Sequence, residues 1–165
     1  SIVEPTLEGS TPEAAFAFNR RIDQLEGKVS AANKRIKAGL ERVAAVRDVL
    51  LVTADADPAL GARAYEIGKE LKGLSEQLGG NETRAMANDQ GPVAVGARLF
   101  HAGIGRYLST YGPTQGHEQS LAIAEDEFRA VGQRLGQLLD EDLAKIEAAL
   151  DKAGAPWTPG RSVSF

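Results

Sequence analysis

The chain has 165 residues, enough for one domain with a core of its own, and 19 basic against 23 acidic side chains give a formal net charge of −4. No basic block is present to follow a phosphate backbone, so nucleic acid is not an expected partner, and the absence of cysteine excludes disulfides and thiolate metal sites. No apolar run approaches the roughly 18 residues of a membrane span, so no membrane insertion is expected, and the opening SIVEPTLEGST lacks the basic-then-apolar order of a signal peptide.

Residues 1–11 read as a linker, with Thr11 as N-cap and Pro12 at the first helical position. From there Phe18, Ile22, Leu25, Val29, Ala32, Ile36, Gly39, Val43, Val46 and Leu50 alternate steps of four and three. That is a heptad seam on one long helix, running to about Val52 and spanning roughly 60 Å. A second helix is expected after TADAD, capped by Asp57 with Pro58 behind it. Its seam is Leu60, Ala64, Ile67, Leu71, Leu74 and Leu78, and Gly79-Gly80 ends it.

NETRAMANDQG reads as an irregular connection, after which Pro92 is expected to open a third helix. The buried face assigned to it is Val93, Phe100, Ile104 and Tyr107. In YLSTYGPTQGHEQS, Gly112-Pro113 is a stop-and-restart signal: glycine ends the third helix, proline blocks its continuation and Thr114 caps the fourth. Tyr107 and Tyr111, one turn apart, are expected to pack on that corner. The fourth helix has a seam of Leu121, Ala124, Phe128, Val131, Leu135 and Leu138, which then shifts to Leu139, Leu143, Ile146 and Leu150. Such a shift is expected to drift the stripe around the helix. Gly154 ends the helix, and Pro156 and Pro159 hold the tail extended around Trp157. The tail, 154–165, is expected to pack back on the bundle with Trp157 buried and Arg161 near the acidic surface of the fourth helix.

With no strand alternation of useful length, the fold class is all-α: an elongated antiparallel bundle of four helices with long first and last members, over residues 12–153. The favoured layout sets helices two and three antiparallel and side by side, giving a four-helix half and a two-helix stem. The alternative is a three-helix bundle with a broken middle helix. Glycines in helix interiors cost about 1 kcal/mol each against alanine. Gly39, Gly96 and Gly103 are therefore read as points of close helix approach, while for Gly132 and Gly136 close packing and plain exposure both stay open.

Chemistry is thinly represented. A glycosidase needs two carboxylates in one cleft, but Asp126, Glu127, Asp140, Glu141 and Asp142 fall on the polar side of a helix, where acids are normally solvated. His101 and His117 share no metal-ligand spacing with each other or with an acid, and AGIGRY around Gly103 and Gly105 lacks the preceding strand of a dinucleotide fingerprint. No catalytic residue, metal site or cofactor is assigned.

STYGPTQ, then SLAIAEDEF, then DEDLAKIEAALDKAGAPWTPGR resemble the C-terminal helical region of large bacterial proteins that carry an N-terminal sortilin-type, BNR-repeat β-propeller and are often labelled glycosyl hydrolases. The shared motif covers Tyr111, Gly112, Pro113 and Thr114, then Ala153 to Arg161 with Gly154, Pro156, Trp157 and Pro159. VEPTLEGST also resembles the exit from the β-sandwich module that precedes this region. The resemblance implies a non-catalytic accessory or interaction domain of a secreted or periplasmic protein, whose partners are the parent's other domains or another protein. Propeller chemistry does not carry over to a chain without the propeller. A stand-alone helical binding or regulatory module is the alternative.

Overall fold

A computed structural model describes residues 10–80, 86–87, 91–108 and 112–161, with the side chains of Tyr107 and Leu108 outside the described set. The described residues form helices and no strands, an all-α helical bundle. Helix α1 is Pro12–Leu50, α2 is Ala59–Gly79 and α3 is Val95–Leu108. The last helical stretch comprises α4 (Gln115–Gly136), a π-helical segment (Gln137–Asp142) and α5 (Leu143–Lys152), joined without a break in right-handed helical backbone.

Helix ends follow their local chemistry. The Ala14 amide donates to Thr11 Oγ1 at 3.2 Å and the Ala59 amide to Asp57 Oδ1 at 2.9 Å, so both side chains cap orphan donors. Gly80 closes α2 with φ of 85°. After α5, the Ala155 amide reaches the Leu150 carbonyl at 3.0 Å and the Gly154 amide that of Asp151 at 3.1 Å, with Gly154 at φ of 70°. That paired pattern is a Schellman stop, which needs a left-handed residue at Gly154. One start differs from expectation. The Arg98 amide donates to the Ala94 carbonyl at 3.2 Å, so α3 begins at Val95 and Pro92 stands outside it.

The chain divides into two compact units. The first holds α1 up to Ser30, α3 and α4 up to Arg129; the second holds the rest of α1, α2, the end of α4, the π segment, α5 and the tail. Each is a packing of three helical segments. Helix α2 belongs to the second unit and α3 to the first.

The first unit buries Phe18, Ile22 and Leu25 of α1 against Val95, Leu99 and Ala102 of α3 and Leu121 and Ala124 of α4. Within the second unit, α1 and the last helical stretch run parallel, as Arg35 meets Asp140 and Arg42 meets Glu147. α2 runs antiparallel to α1: a Cβ at Gly39 would lie 3.2 Å from Leu71 Cδ1, and one at Gly68 would lie 3.3 Å from Val43 Cγ1.

The π segment corrects the expected drift of the last seam. Leu135 to Leu138 is a step of three, so the next seam residue is due four later, yet it arrives five later at Leu143. The Leu143 amide bonds back to the Leu138 carbonyl, five residues away, which absorbs the surplus residue in one wide turn. Leu138 and Leu139 are both buried, and Leu143, Ile146 and Leu150 stay in the core. The stripe is re-phased rather than allowed to wander.

Candidate interaction surface

Helix α3 has the composition of a core helix, VGARLFHAGIGRYL, with no acid and two arginines. Its buried face is Val95, Leu99 and Ala102, at 1, 6 and 0 % exposure, together with Ala94 and the backbone of Gly105. The expected face is corrected: Val93 and Phe100 are 54 and 74 % exposed, and Ile104 is half-buried. Tyr107 lies in the last turn of α3, with its side chain outside the described set. On α3 itself exposed Ala97, exposed Phe100 and half-buried Ile104 repeat at steps of three and four, an apolar strip partly open to water, with exposed Val93 just before the helix.

Neither arginine of α3 relieves that apolar face. Arg98 Nε donates to both Glu127 oxygens, at 3.0 and 3.2 Å, and its carbonyl accepts from Ser120 Oγ at 3.1 Å. Arg106 donates to Asp23 at 2.6 Å and to the Asn19 carbonyl at 2.9 Å. Both cations are thus turned to acids on α4 and α1. The outward stripe carries no charge, with His101 the polar residue beside it.

Gly103 and Gly105 sit differently on this helix. A Cβ on Gly105 would fall 2.7 Å from His117 Nδ1, so this glycine is a point of close approach between α3 and the first turn of α4. A Cβ on Gly103 would meet nothing within 4 Å. Close approach within the chain, expected for Gly103, is therefore absent. Gly96 is half-buried, Gly132 borders open space, and a Cβ on Gly136 would make only an ordinary contact with Asp140.

The two histidines, unrelated by sequence spacing, are neighbours. Their ring centroids are 5.3 Å apart at 52°. His117 Nδ1 lies 3.2 Å from the Thr114 amide, which donates to it, and 3.1 Å from Thr114 Oγ1. Thr114 also caps α4 through its carbonyl, which accepts from the Glu118 amide at 3.1 Å. Among the described residues, no group of three or more His, Asp or Glu side chains is placed to hold a metal.

The acids weighed as catalytic candidates are occupied by arginine or lysine, apart from exposed Glu141. Glu127 holds Arg98, Asp126 holds Arg129 at 2.6 Å, Asp140 takes both bonds from Arg35 NH2 at 2.9 and 3.0 Å, and Asp142 lies 4.0 Å from Lys145. Arg21 bridges Glu118 and Glu125, one heptad apart, at 2.9 and 2.8 Å. The Glu125 hydrogen bond raises the Arg21 pKa further above its ordinary value, against the lowering effect of partial burial. Of these, the Glu127–Arg98, Asp140–Arg35 and Arg21–Glu118/Glu125 pairs join helices, and Asp126–Arg129 and Asp142–Lys145 are local.

At the corner, Gly112 takes φ of 88°, Pro113 is half-buried and Tyr111 lies outside the described residues. The tail packs through residues other than Trp157, which is 58 % exposed and corrects the expectation of a buried ring. Thr158 and Arg161 are buried instead, while Pro156 and Pro159 face water. Arg161 donates to the Pro156 carbonyl at 2.9 Å, to the Glu147 carbonyl at 3.2 Å and to the Asp151 carboxylate. Gly160, at φ of 90°, lies against the Arg42 stem, and Arg42 makes a bidentate pair with buried Glu147 at 3.0 and 2.7 Å. The Arg161 guanidinium, held by the Pro156 and Glu147 carbonyls and the Asp151 carboxylate, anchors the tail while the indole stays outside.

A separate open cleft of about 410 Å³ lies at the α1–α2 corner, where Arg47 stands 5.8 Å over the Tyr65 ring beside exposed Leu51.

The fold and its surface define an all-α bundle with one helix that is apolar on two sides. Compared with known proteins, the chain matches no protein-family model, no curated protein and no solved structure. None of the described helices is long and apolar enough to cross a membrane.

Proposed function

We propose that the chain is a non-catalytic accessory or interaction module, and that the outward stripe of α3 is its contact surface. The observation that carries this reading is the pairing of an exposed Phe100 and Val93 with two arginines turned away from them. Depletion of charge around exposed aromatic and aliphatic side chains is the compositional mark of an interface core. The pairing of Glu127 and Asp140 with arginines on other helices supports a structural rather than a catalytic use of the acids. The resemblance of the 111–114 and 153–161 motifs supports placement of the module beside a β-propeller in a secreted or periplasmic protein, with the parent's other domains or another protein as partner. A stand-alone binding module would use the same face, and a propeller encoded in the same reading frame separates the two.

A photo-crosslinking residue in place of Phe100 tests the surface in cells that produce the protein. Crosslinks to a polypeptide are expected from position 100 and not from position 141, an exposed residue of the π segment. Equal, background labelling at both positions contradicts the reading.

A further inference from the structure

We infer that His117 is a proton-sensitive cap: its neutral ring closes the start of α4, and protonation in acid releases it. Thr114 stands just before the helix and His117 three residues on, the spacing of a capping box. Both arms of the box are made. The His117 amide donates to Thr114 Oγ1 at 3.4 Å, and the Thr114 amide donates to His117 Nδ1 at 3.2 Å. Glutamate or glutamine ordinarily fills the second role. An imidazole nitrogen accepts a hydrogen bond only while it carries no proton, so this arm requires the ring with Nδ1 bare. The ring is held at that place by α3. Gly105 leaves room for it, since a Cβ there would lie 2.7 Å from Nδ1 and 3.0 Å from Cγ.

One proton on Nδ1 has three effects of the same sign. It removes the acceptor of the Thr114 amide, an N-terminal donor with no partner inside the helix. It sets a cation at the positive end of the helix dipole. It also brings charge towards His101 of α3, whose ring centroid is 5.3 Å away. The other charges about this corner are committed: Glu118, next along α4, to Arg21, and Arg106, beside Gly105, to Asp23. Thr114 Oγ1, 3.1 Å from Nδ1, can accept from the protonated ring and returns part of the loss, but the amide stays released. The unfolded chain takes up the same proton without these losses. Stability from the cap is therefore fully present at pH 8 and is lost as the pH falls towards 5, the interval over which histidine changes charge. A glutamine in its place would accept throughout.

Two measurements on the full chain test this, each at pH 8 and pH 5. Hydrogen exchange read by NMR gives the protection of the Thr114 amide relative to its intrinsic rate. That protection should fall about five-fold between pH 8 and pH 5 in the parent and stay level in His117→Gln, as expected for loss of one cap. The melting temperature of the parent should fall by about 2–4 °C more over the same interval than that of His117→Gln, because carboxylate titration is common to both chains. His101→Gln should reduce this excess without abolishing it. Level protection of Thr114 in the parent overturns the inference whether or not the variant folds. Equal falls in melting temperature for the parent and His117→Gln also overturn it.

Discussion

Gly39 of α1 faces Leu139 of the π segment so closely that a Cβ on the glycine would lie 2.6 Å from Leu139 Cδ2, with Leu71 Cδ1 of α2 at 3.2 Å. Three segments of the second unit meet at this missing side chain. Gly39→Leu should lower stability by about 1–3 kcal/mol through overpacking, despite the roughly 1 kcal/mol that leucine gains over glycine in helix propensity. Gly103→Ala is the counterpart, since its Cβ meets nothing, and should raise stability by about 0.5–1 kcal/mol. Denaturant melts of the two variants should shift in opposite directions; the same sign for both contradicts this packing.

The π segment predicts an unusual tolerance. It holds one residue more than the seam requires, so deleting Glu141, which is exposed, lets the stretch close into regular α-helix with Leu143, Ile146 and Leu150 still facing inward. Deleting exposed Arg129 from regular α4 rotates every later seam residue by about 100°. The Glu141 deletion should fold with a modest loss of melting temperature, and the Arg129 deletion should not fold cooperatively. Equal damage from both would mean the wide turn is not the absorber of the surplus residue.

The seams of α1 and α2, their caps at Thr11 and Asp57 and the Gly154 stop were legible because each depends on residues within a turn or a heptad of one another. α3 was not legible. Both Val93–Phe100–Ile104 and Val95–Leu99–Ala102 are apolar stripes of helical period, and what separates them is where Arg98 and Arg106 find acids, on helices far away in sequence. The same holds for His101 beside His117, a contact made by packing across Gly105. The step from Leu138 to Leu143 was visible as a phase change, but spacing alone does not distinguish a drifting stripe from a wide turn. Trp157 misled because ring size argues for burial, whereas the tail is held by an arginine whose partners are backbone carbonyls and Asp151.

The tail yields a paired prediction. Trp157→Ala should cost under about 1 kcal/mol, and the native emission should be that of a solvated indole, because the ring is mostly exposed. Arg161→Met should cost about 1.5–3 kcal/mol, the range for hydrogen bonds to a charged group. Blue-shifted native emission with a large Trp157→Ala effect would reverse the roles assigned to these two residues.

Arg42 and Glu147 form a pair whose members fail separately. Arg42→Met leaves the Glu147 carboxylate buried without its cation and should cost about 3 kcal/mol, whereas Arg42→Met with Glu147→Leu should recover most of that loss. Chemical denaturation of the two variants measures the difference. A double variant no more stable than Arg42→Met would show that the carboxylate is not the source of the cost.

The non-catalytic reading is tested with the isolated chain on a panel of aryl glycosides and oligosaccharides. No turnover above buffer is expected. Hydrolysis that survives purification and is lost in Glu127→Gln or Asp140→Asn would contradict it.

The two-sided character of α3 underlies the proposed surface. Thermal unfolding of Leu99→Asp and Phe100→Asp, neighbours on one helix, tests it most directly. Leu99 is 6 % exposed and Phe100 74 %, so the aspartate at 99 enters the core of the first unit and the one at 100 meets water. Leu99→Asp should abolish cooperative unfolding or lower its midpoint by tens of degrees, and Phe100→Asp should leave the midpoint within a few degrees of the parent. A Phe100→Asp chain as damaged as Leu99→Asp would place the stripe in the core and contradict the account.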